Sequence, residues 1–442
     1  MSAIVSKSVT GRLPAPRPER PGGRPSGHRL PGRDPLGGRG VAPGRSAGDH
    51  ALLIAILALG LFGAIMIASA SMAFADDAFG RPFHFVSRQL VFLAIGLCVG
   101  TWLFRVPLAV WERYGPHLLI LSMVALVLVL VPGIGSKVNG SRRWIDLGLF
   151  TVQVSETVKL FIIVYLSGYV VRRGHLVETT FGGFVRPLVL ICGVSALLLA
   201  EPDFGAAVVI VLTAMTMLFV AGVRFSQFLA LLAVLGAVGA VLIVMSPYRA
   251  IRFASFLDPW SDAFGSGFQL TQSLIAIGSG GLSGVGFGSS VQKLFYLPEA
   301  HTDFLFAVLC EELGLIGALA LIALYGFIVW RCFRLSRIAE EQGNRFASSV
   351  ALGIGVWVGL QSFINMGVNM GVLPTKGITL PLMSYGGSSA VVFAATFALL
   401  LRVEWELARD AAPGGVAAVR ESRVVSSRDP GAGTGAGTED EA

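Results

Sequence analysis

The sequence predicts an all-α polytopic membrane protein with about ten transmembrane helices, and three observations carry that reading. Of 442 residues, 54% are hydrophobic and only 14% charged, against ~25% charged in an ordinary soluble domain. Mean hydropathy is +0.72. Apolar runs of spanning length recur between residues 51 and 402, and 55 glycines and 29 phenylalanines suit helices packed closely in lipid. This composition argues against a water-soluble enzyme.

Two tails flank the apolar part. Residues 1–50 hold eight prolines, ten glycines and nine Lys/Arg against three acids. Such a segment buries too little surface to offset its ordering entropy, so a disordered basic tail is expected. Residues 403–442 hold four basic residues against eight acids and read as a disordered acidic tail. The net charge of +7 belongs mostly to the first tail, and is no sign of nucleic-acid binding. Residues 51–402 form the membrane domain. Nine positive charges before the first span place the N-terminus in the cytoplasm, and an even number of spans brings the C-terminus to the same side.

The spans are expected near 51–73, 86–104, 116–132, 151–171, 186–200, 204–222, 227–245, 304–330, 347–366 and 387–402, each approaching the ~20 apolar residues a crossing needs. The first ends in Ala73-Phe74-Ala75, a string like a signal-peptidase site. Its apolar run exceeds the ~7–15 residues of a signal-peptide core, so a retained anchor is expected. Cys98, Cys192, Cys310 and Cys332 lie in apolar runs without C-x-x-C spacing or a histidine cluster, which predicts buried, inert thiols and no zinc site. The long loops, 133–150, 247–303 and 367–386, all fall outside, the largest between helices 7 and 8. Function is expected there.

In the first outer loop Arg142 and Arg143 precede Trp144. Two roles fit: bidentate binding of a phosphate group, or snorkelling beside an aromatic-belt residue. The next span carries Glu156 and Lys159, spaced i, i+3 on one face. Either a structural ion pair or the wall of a polar cavity explains charges at that depth. Glu201-Pro202-Asp203 reads as a chain reversal between spans.

The 247–303 loop holds Asp258-Pro259-Trp260 and a glycine run from Gly278 to Gly288. Lacking a Walker lysine, the glycines read as a device for folding the loop back tightly. The loop ends in Leu297-Pro298-Glu299-Ala300-His301-Thr302-Asp303 before an apolar helix. Asp303 is either the N-cap of that helix or a general base at the membrane edge. Glu311 and Glu312 sit about 80° and 180° around the helix from it, which predicts polar interior contacts and no catalytic pair. In the last outer loop Lys376 could meet a pyrophosphate as a point charge or sit at the headgroup level. Ser384, Gly386 and Gly387 open the final helix, where free backbone N–H groups would suit the same anion.

Taken together, NGSRRWI, EPDFG, DPW with GFQLTQSLIAIGSGG, YLPEAHTDFLFA and GVLPTKGITLPLMSYGGSS, in this order, resemble the SEDS family (shape, elongation, division and sporulation) over residues 50–402. SVQKLFYLPEAHTDF is closer to its division-type than to its elongation-type members. Phe295 departs from the pattern, since similar proteins often carry a glutamate there.

The resemblance implies a peptidoglycan glycosyltransferase of the inner membrane, at the division septum, that polymerises lipid II on the outer face. It maps the family's essential aspartate onto Asp303 and implies work with a class B penicillin-binding protein and other divisome proteins. No organic cofactor is implied; a divalent cation, magnesium or manganese, is left open, and the sequence shows no metal ligand set. Two other classes compete. A lipid II flippase would use Glu156 and Lys159 along a polar path, and a scaffold that only recruits the transpeptidase would leave Asp303 dispensable.

Overall fold

The structure is a computed structural model and describes residues 50–138, 141–146, 148, 151–374 and 377–411. The expected tail 1–49 and residues 412–442 fall outside it. Among the described residues the order is α1 (His50–Phe79), α2 (His84–Phe104), α3 (Leu108–Leu130), β1 (Gly135–Val138), β2 (Ser141–Asp146), β3 (Thr151–Gln153), α4 (Val154–Thr179), α5 (Phe181–Ala200), α6 (Phe204–Val220) and α7 (Phe225–Val244). Then follow α8 (Pro247–Leu257), α9 (Phe268–Gly280), α10 (Leu305–Glu341), α11 (Arg345–Asn369) and α12 (Gly387–Asp410). Each of the ten expected spans falls on a helix. Seven helices are long and apolar enough to cross a membrane, and α6 and α7 are shorter apolar ones.

Helices α4 and α11 are the most enclosed of the apolar helices and form the centre of the bundle. Around them Trp357, Phe393, Phe397, Ile162, Ile163 and Leu166 are fully buried, with the Trp357 and Phe393 rings stacked at 4.8 Å. Small residues set the packing of α2 on α12. Gly96 and Gly100 of α2 face Ala394 and Ala398 of α12, and a Cβ at Gly96 would stand 2.9 Å from that of Ala394. This is the small-xxx-small packing of membrane helices, which lets backbones approach.

Three features depart from the expectations. The first outer loop is a three-stranded antiparallel sheet, β1-β2-β3. The 247–303 loop contains the helices α8 and α9. Finally, α12 reaches Asp410, so residues 403–410 of the expected acidic tail are helical. Ion pairs explain the extension: Arg331 binds Glu404, and Arg402 binds Glu406 at 2.7 Å while donating to the Phe104 carbonyl at 3.1 Å. The cysteines also divide. Cys310 and Cys332 are buried, but Cys98 and Cys192 are exposed, since their helix faces are not covered by the rest of the bundle.

Helix α10 is broken at Gly314 (φ 64°). The glycine-rich segment after α9 supplies partners for the freed main chain. Val285 and Gly286 donate to the Glu311 and Glu312 carbonyls at 2.9 and 3.1 Å, and Leu315 and Ile316 donate to those of Gly281 and Leu282 at 3.0 and 3.2 Å. Backbone at membrane depth is tolerated only when so satisfied. The side chains of Glu311 and Glu312 clamp the same loop, as the expected interior contacts. Glu311 accepts from the Ser290 hydroxyl and from Val291 N at 2.9 Å; Glu312 accepts from Lys293 and Ser69 at 2.7 and 2.6 Å.

The seat has no room for a side chain at Gly284 (φ 78°), where a Cβ would lie 2.1 Å from the Glu312 carbonyl oxygen. Gly284→Ala is therefore expected to destabilise the protein by about 2 kcal/mol or more. A thermal melt in detergent should fall by several degrees; an unchanged melt would mean that the loop does not occupy the break.

Candidate functional site

Asp303 stands at the mouth of α10, in a turn closed by Thr302 N and Phe304 N on the Glu299 carbonyl. It is not the helix cap. The helix starts at Leu305, its cap residue is Phe304, and no side chain caps it. The main chain of Asp303 is instead held by α11. Asn365 and Asn369 each donate from Nδ2 to its carbonyl, at 2.9 and 3.0 Å. Asn369 Oδ1 accepts from Ala307 N at 3.2 Å, and Asn365 Nδ2 also reaches the Ile378 carbonyl. Two carboxamides one turn apart thus fix both the Asp303 turn and the strand of chain entering α12.

The carboxylate faces Gly377, where a Cβ would stand 2.9 Å from Oδ2. No hydrogen bond to it occurs among the described residues. Burial, reinforced by Glu299, raises its pKa to about 7; Arg143 and Arg252 oppose the shift, and Asp203 adds to it. A carboxylate tuned to that range accepts a proton at neutral pH. His301 is turned away into an aromatic cluster, with ring centroids 4.6 Å from Phe85, 5.6 Å from Tyr385 and 5.9 Å from Phe74. Burial lowers its pKa, against the pull of Glu299, which favours neutral imidazole.

A slip in the sheet places Arg143. Ser136 pairs with Trp144 and Lys137 with Arg142, leaving Arg143 as the extra residue of a bulge. Bulges re-aim side chains, and this one sends the guanidinium to the α5–α6 turn. Its Nε and Nη2 donate to the carbonyls of Glu201 and Pro202 at 3.2 and 2.6 Å. Arg142 lies across the strands from Lys137, and no contact between it and the Asp303 turn occurs among the described residues. In the turn itself Asp203 caps α6, accepting from Ala206 N at 3.2 Å. Sequence reading took Glu201-Pro202-Asp203 as a reversal only and overlooked Arg252. Two carboxylates flanking a proline between spans were the available signal.

Glu156 and Lys159 form a buried ion pair of 2.7 Å. Lys159 also donates to Gln361 Oε1 at 2.8 Å, and Gln361 Nε2 donates to the Thr379 carbonyl at 2.9 Å. The pair therefore braces the chain that passes Asp303.

The expected anion cradle before α12 is otherwise engaged. Ser384 accepts from Leu380 N at 2.9 Å, Gly386 N donates to Gln89 Oε1 at 3.4 Å, and a Cβ at Gly387 would strike the Phe92 ring at 2.5 Å. Ser384 and the Gly386 amide thus hold the turn. Lys376 lies outside the described residues. Phe295, the departure from the motif, is exposed with a φ of 68°. Among the described residues no three carboxylate, imidazole or thiol groups are placed to hold a metal.

The chain is similar to known proteins in sequence and in fold. A sequence model for the family described as cell cycle protein (FtsW, RodA, SpoVE) matches residues 49–409. The "Probable peptidoglycan glycosyltransferase FtsW" of Thioalkalivibrio sulfidiphilus (strain HL-EbGR7) is 54% identical over 358 residues, covering 81% of this chain and 90% of that protein. The protein of the same description from Coxiella burnetii is 50% identical, over 81% of this chain and 96% of its own. Among solved structures, a chain from work on "structural coordination of polymerization and crosslinking by a peptidoglycan synthase complex" superposes with a TM-score of 0.68 at 30% identity, covering 81% of this chain and 98% of its own. The crystal structure of Thermus thermophilus rod shape determining protein RodA gives 0.60 at 28% identity, over 80% and 96%.

Removing one member of the buried pair should be worse than removing both charges. Lys159→Met is expected to destabilise by about 3 kcal/mol, and Glu156→Gln combined with Lys159→Met to recover at least half of that. Melting temperatures of the three chains in detergent provide the check.

Proposed function

The chain belongs to the FtsW/RodA/SpoVE family of cell cycle proteins, and from that premise we propose that it polymerises lipid II into glycan strands, with Asp303 as general base. The observation that carries the role of Asp303 is its combination of a main chain fixed by two carboxamides with a carboxylate that caps nothing. A side chain so placed serves substrate better than fold.

The acceptor is the 4-hydroxyl of a GlcNAc and the donor an anomeric carbon bearing undecaprenyl pyrophosphate. As the hydroxyl oxygen attacks that carbon its proton passes to an Asp303 oxygen, the bond to pyrophosphate breaks, and inversion yields a β-1,4 linkage. Departing negative charge needs fixed cations. Arg143, anchored on main-chain carbonyls, keeps its charge for this purpose, and Lys376 with Arg142 adds to it.

The proposed orientation puts both termini in the cytoplasm, with ten crossings and the Asp303 end facing outward. The transpeptidase partner is a class B penicillin-binding protein, with other divisome proteins around it at the septum of the inner membrane. A relative solved in a complex described by polymerization and crosslinking supports that pairing.

Asp303→Asn is expected to lower polymerisation of purified lipid II at least ~100-fold, the scale of general-base catalysis. Retained activity would end the general-base role, and lipid movement in liposomes without product would favour the flippase. Because the working form is the carboxylate, the wild-type rate should fall as pH drops through about 7. Lys376→Arg should retain more activity than Lys376→Ala; equal loss would assign geometry instead of charge.

A further inference from the structure

Glu201 is the outlier among the buried acids. It has 0% exposure, and neither carboxyl oxygen has a hydrogen-bond partner. Glu156, Glu312, Glu404 and Glu406 all lie in ion pairs, and Asp203 caps a helix. The cation beside Glu201 is Arg143, yet its guanidinium donates to the carbonyls of Glu201 and Pro202 and leaves the carboxyl alone. An ionised carboxylate in such a place would be desolvated and uncompensated, which strongly favours the neutral acid.

We propose that Glu201 is a positioning residue which, held as the neutral acid, leaves the charge of Arg143 uncancelled for the donor's pyrophosphate. The inference rests on the glycosyltransferase reading and deepens it. An ionised Glu201 would draw the guanidinium into an ion pair and withdraw the cation from substrate. The turn therefore does two jobs with one residue: its carbonyl aims the arginine and its protonated side chain declines to neutralise it.

The charged groups that act on Glu201 are few. Burial is the largest influence and raises its pKa to about 8; Asp203 on the same turn adds to the shift, and Arg143 on β2 opposes it. Arg143 and Asp203 also act on Asp303, whose own titration near 7 forms the acid side of the profile. The two acids thus bound a window: Asp303 must be ionised and Glu201 must not.

The test is the pH dependence of kcat/KM on lipid II for the full-length wild type and Glu201→Gln, from pH 6 to 9.5. A group titrating near 8 is ~90% ionised at pH 9; set against the twofold gain as Asp303 completes its own ionisation, wild-type kcat/KM should fall about fivefold between pH 7 and 9. Glu201→Gln should hold its value to within about twofold over that range, with the acid limb unmoved. An alkaline limb in Glu201→Gln equal to that of wild type would overturn the proposal.

A second measurement needs neither turnover nor the Gln variant. Binding of undecaprenyl pyrophosphate to the Asp303→Asn chain should weaken about tenfold from pH 7 to 9, and binding that does not weaken overturns the proposal as well. If wild type made no glycan at any pH, the glycosyltransferase reading would fail, and the binding series would still report on Glu201.

Discussion

The side chain of Asn369 occupies the place of a missing helical hydrogen bond, and the site depends on that substitution. In a continuous helix the Ala307 N–H would bond the Asp303 carbonyl. Here Asn369 Nδ2 takes the carbonyl and its Oδ1 takes the N–H. The helix is held to a start at Leu305, and Asp303 is fixed as firmly as a helical residue without having to follow helical geometry. Asn365, one turn earlier on α11, repeats the contact and adds Ile378. A core helix thereby sets the position of two surface segments at once. Buried carboxamides suit this work, because leaving their donors unmet inside a bundle is costly.

A second organising constraint is the scarcity of charge. Most buried ions in the described bundle are paired, and several pairs tie a helix to a loop: Lys293 with Glu312 at the α10 break, Lys159 through Gln361 to Thr379. At the opposite end Arg402 and Glu406 bridge α12 to the α2–α3 connection, where Glu406 also accepts from Leu108 N at 3.1 Å. Against this background Asp303 and Glu201, whose carboxyl groups have neither an ion-pair nor a hydrogen-bond partner among the described residues, stand out as groups whose proton state is free to matter.

Each of the ten apolar runs read from hydropathy falls on a helix, because span length and apolar continuity are local properties. The sheet in the first outer loop was not legible. Its strands are only three to six residues long, and the bulge that aims Arg143 is a matter of register between them, which no local pattern encodes. Asp303 before an apolar run had the look of an N-cap. The competing partner that moved the helix start lies 66 residues further on, at Asn369. Helix-terminus chemistry marks Gly386 and Gly387 in the sequence, but the partner that the Gly386 amide finds, Gln89 of α2, lies 297 residues away and leaves no local signal. A chain reversal accounts for the composition of the polar turn Glu201-Pro202-Asp203, but not for a carboxyl group with no partner, which only packing reveals.

The break in α10 has a consequence for how the chain enters the bilayer. From Leu315 onward α10 is long enough to cross by itself, about 40 Å at 1.5 Å per residue, but the main-chain groups on either side of Gly314 cannot be satisfied within the helix. Their partners at residues 281–286 precede α10 in the chain and so leave the ribosome first. When the helix arrives at the membrane its complement is already synthesised, tethered by about 30 residues. The order of synthesis makes the partners of these main-chain groups available before the span is complete. Moving the glycine-rich segment to the C-terminal side of α10 by circular permutation would reverse that order while leaving every native contact available.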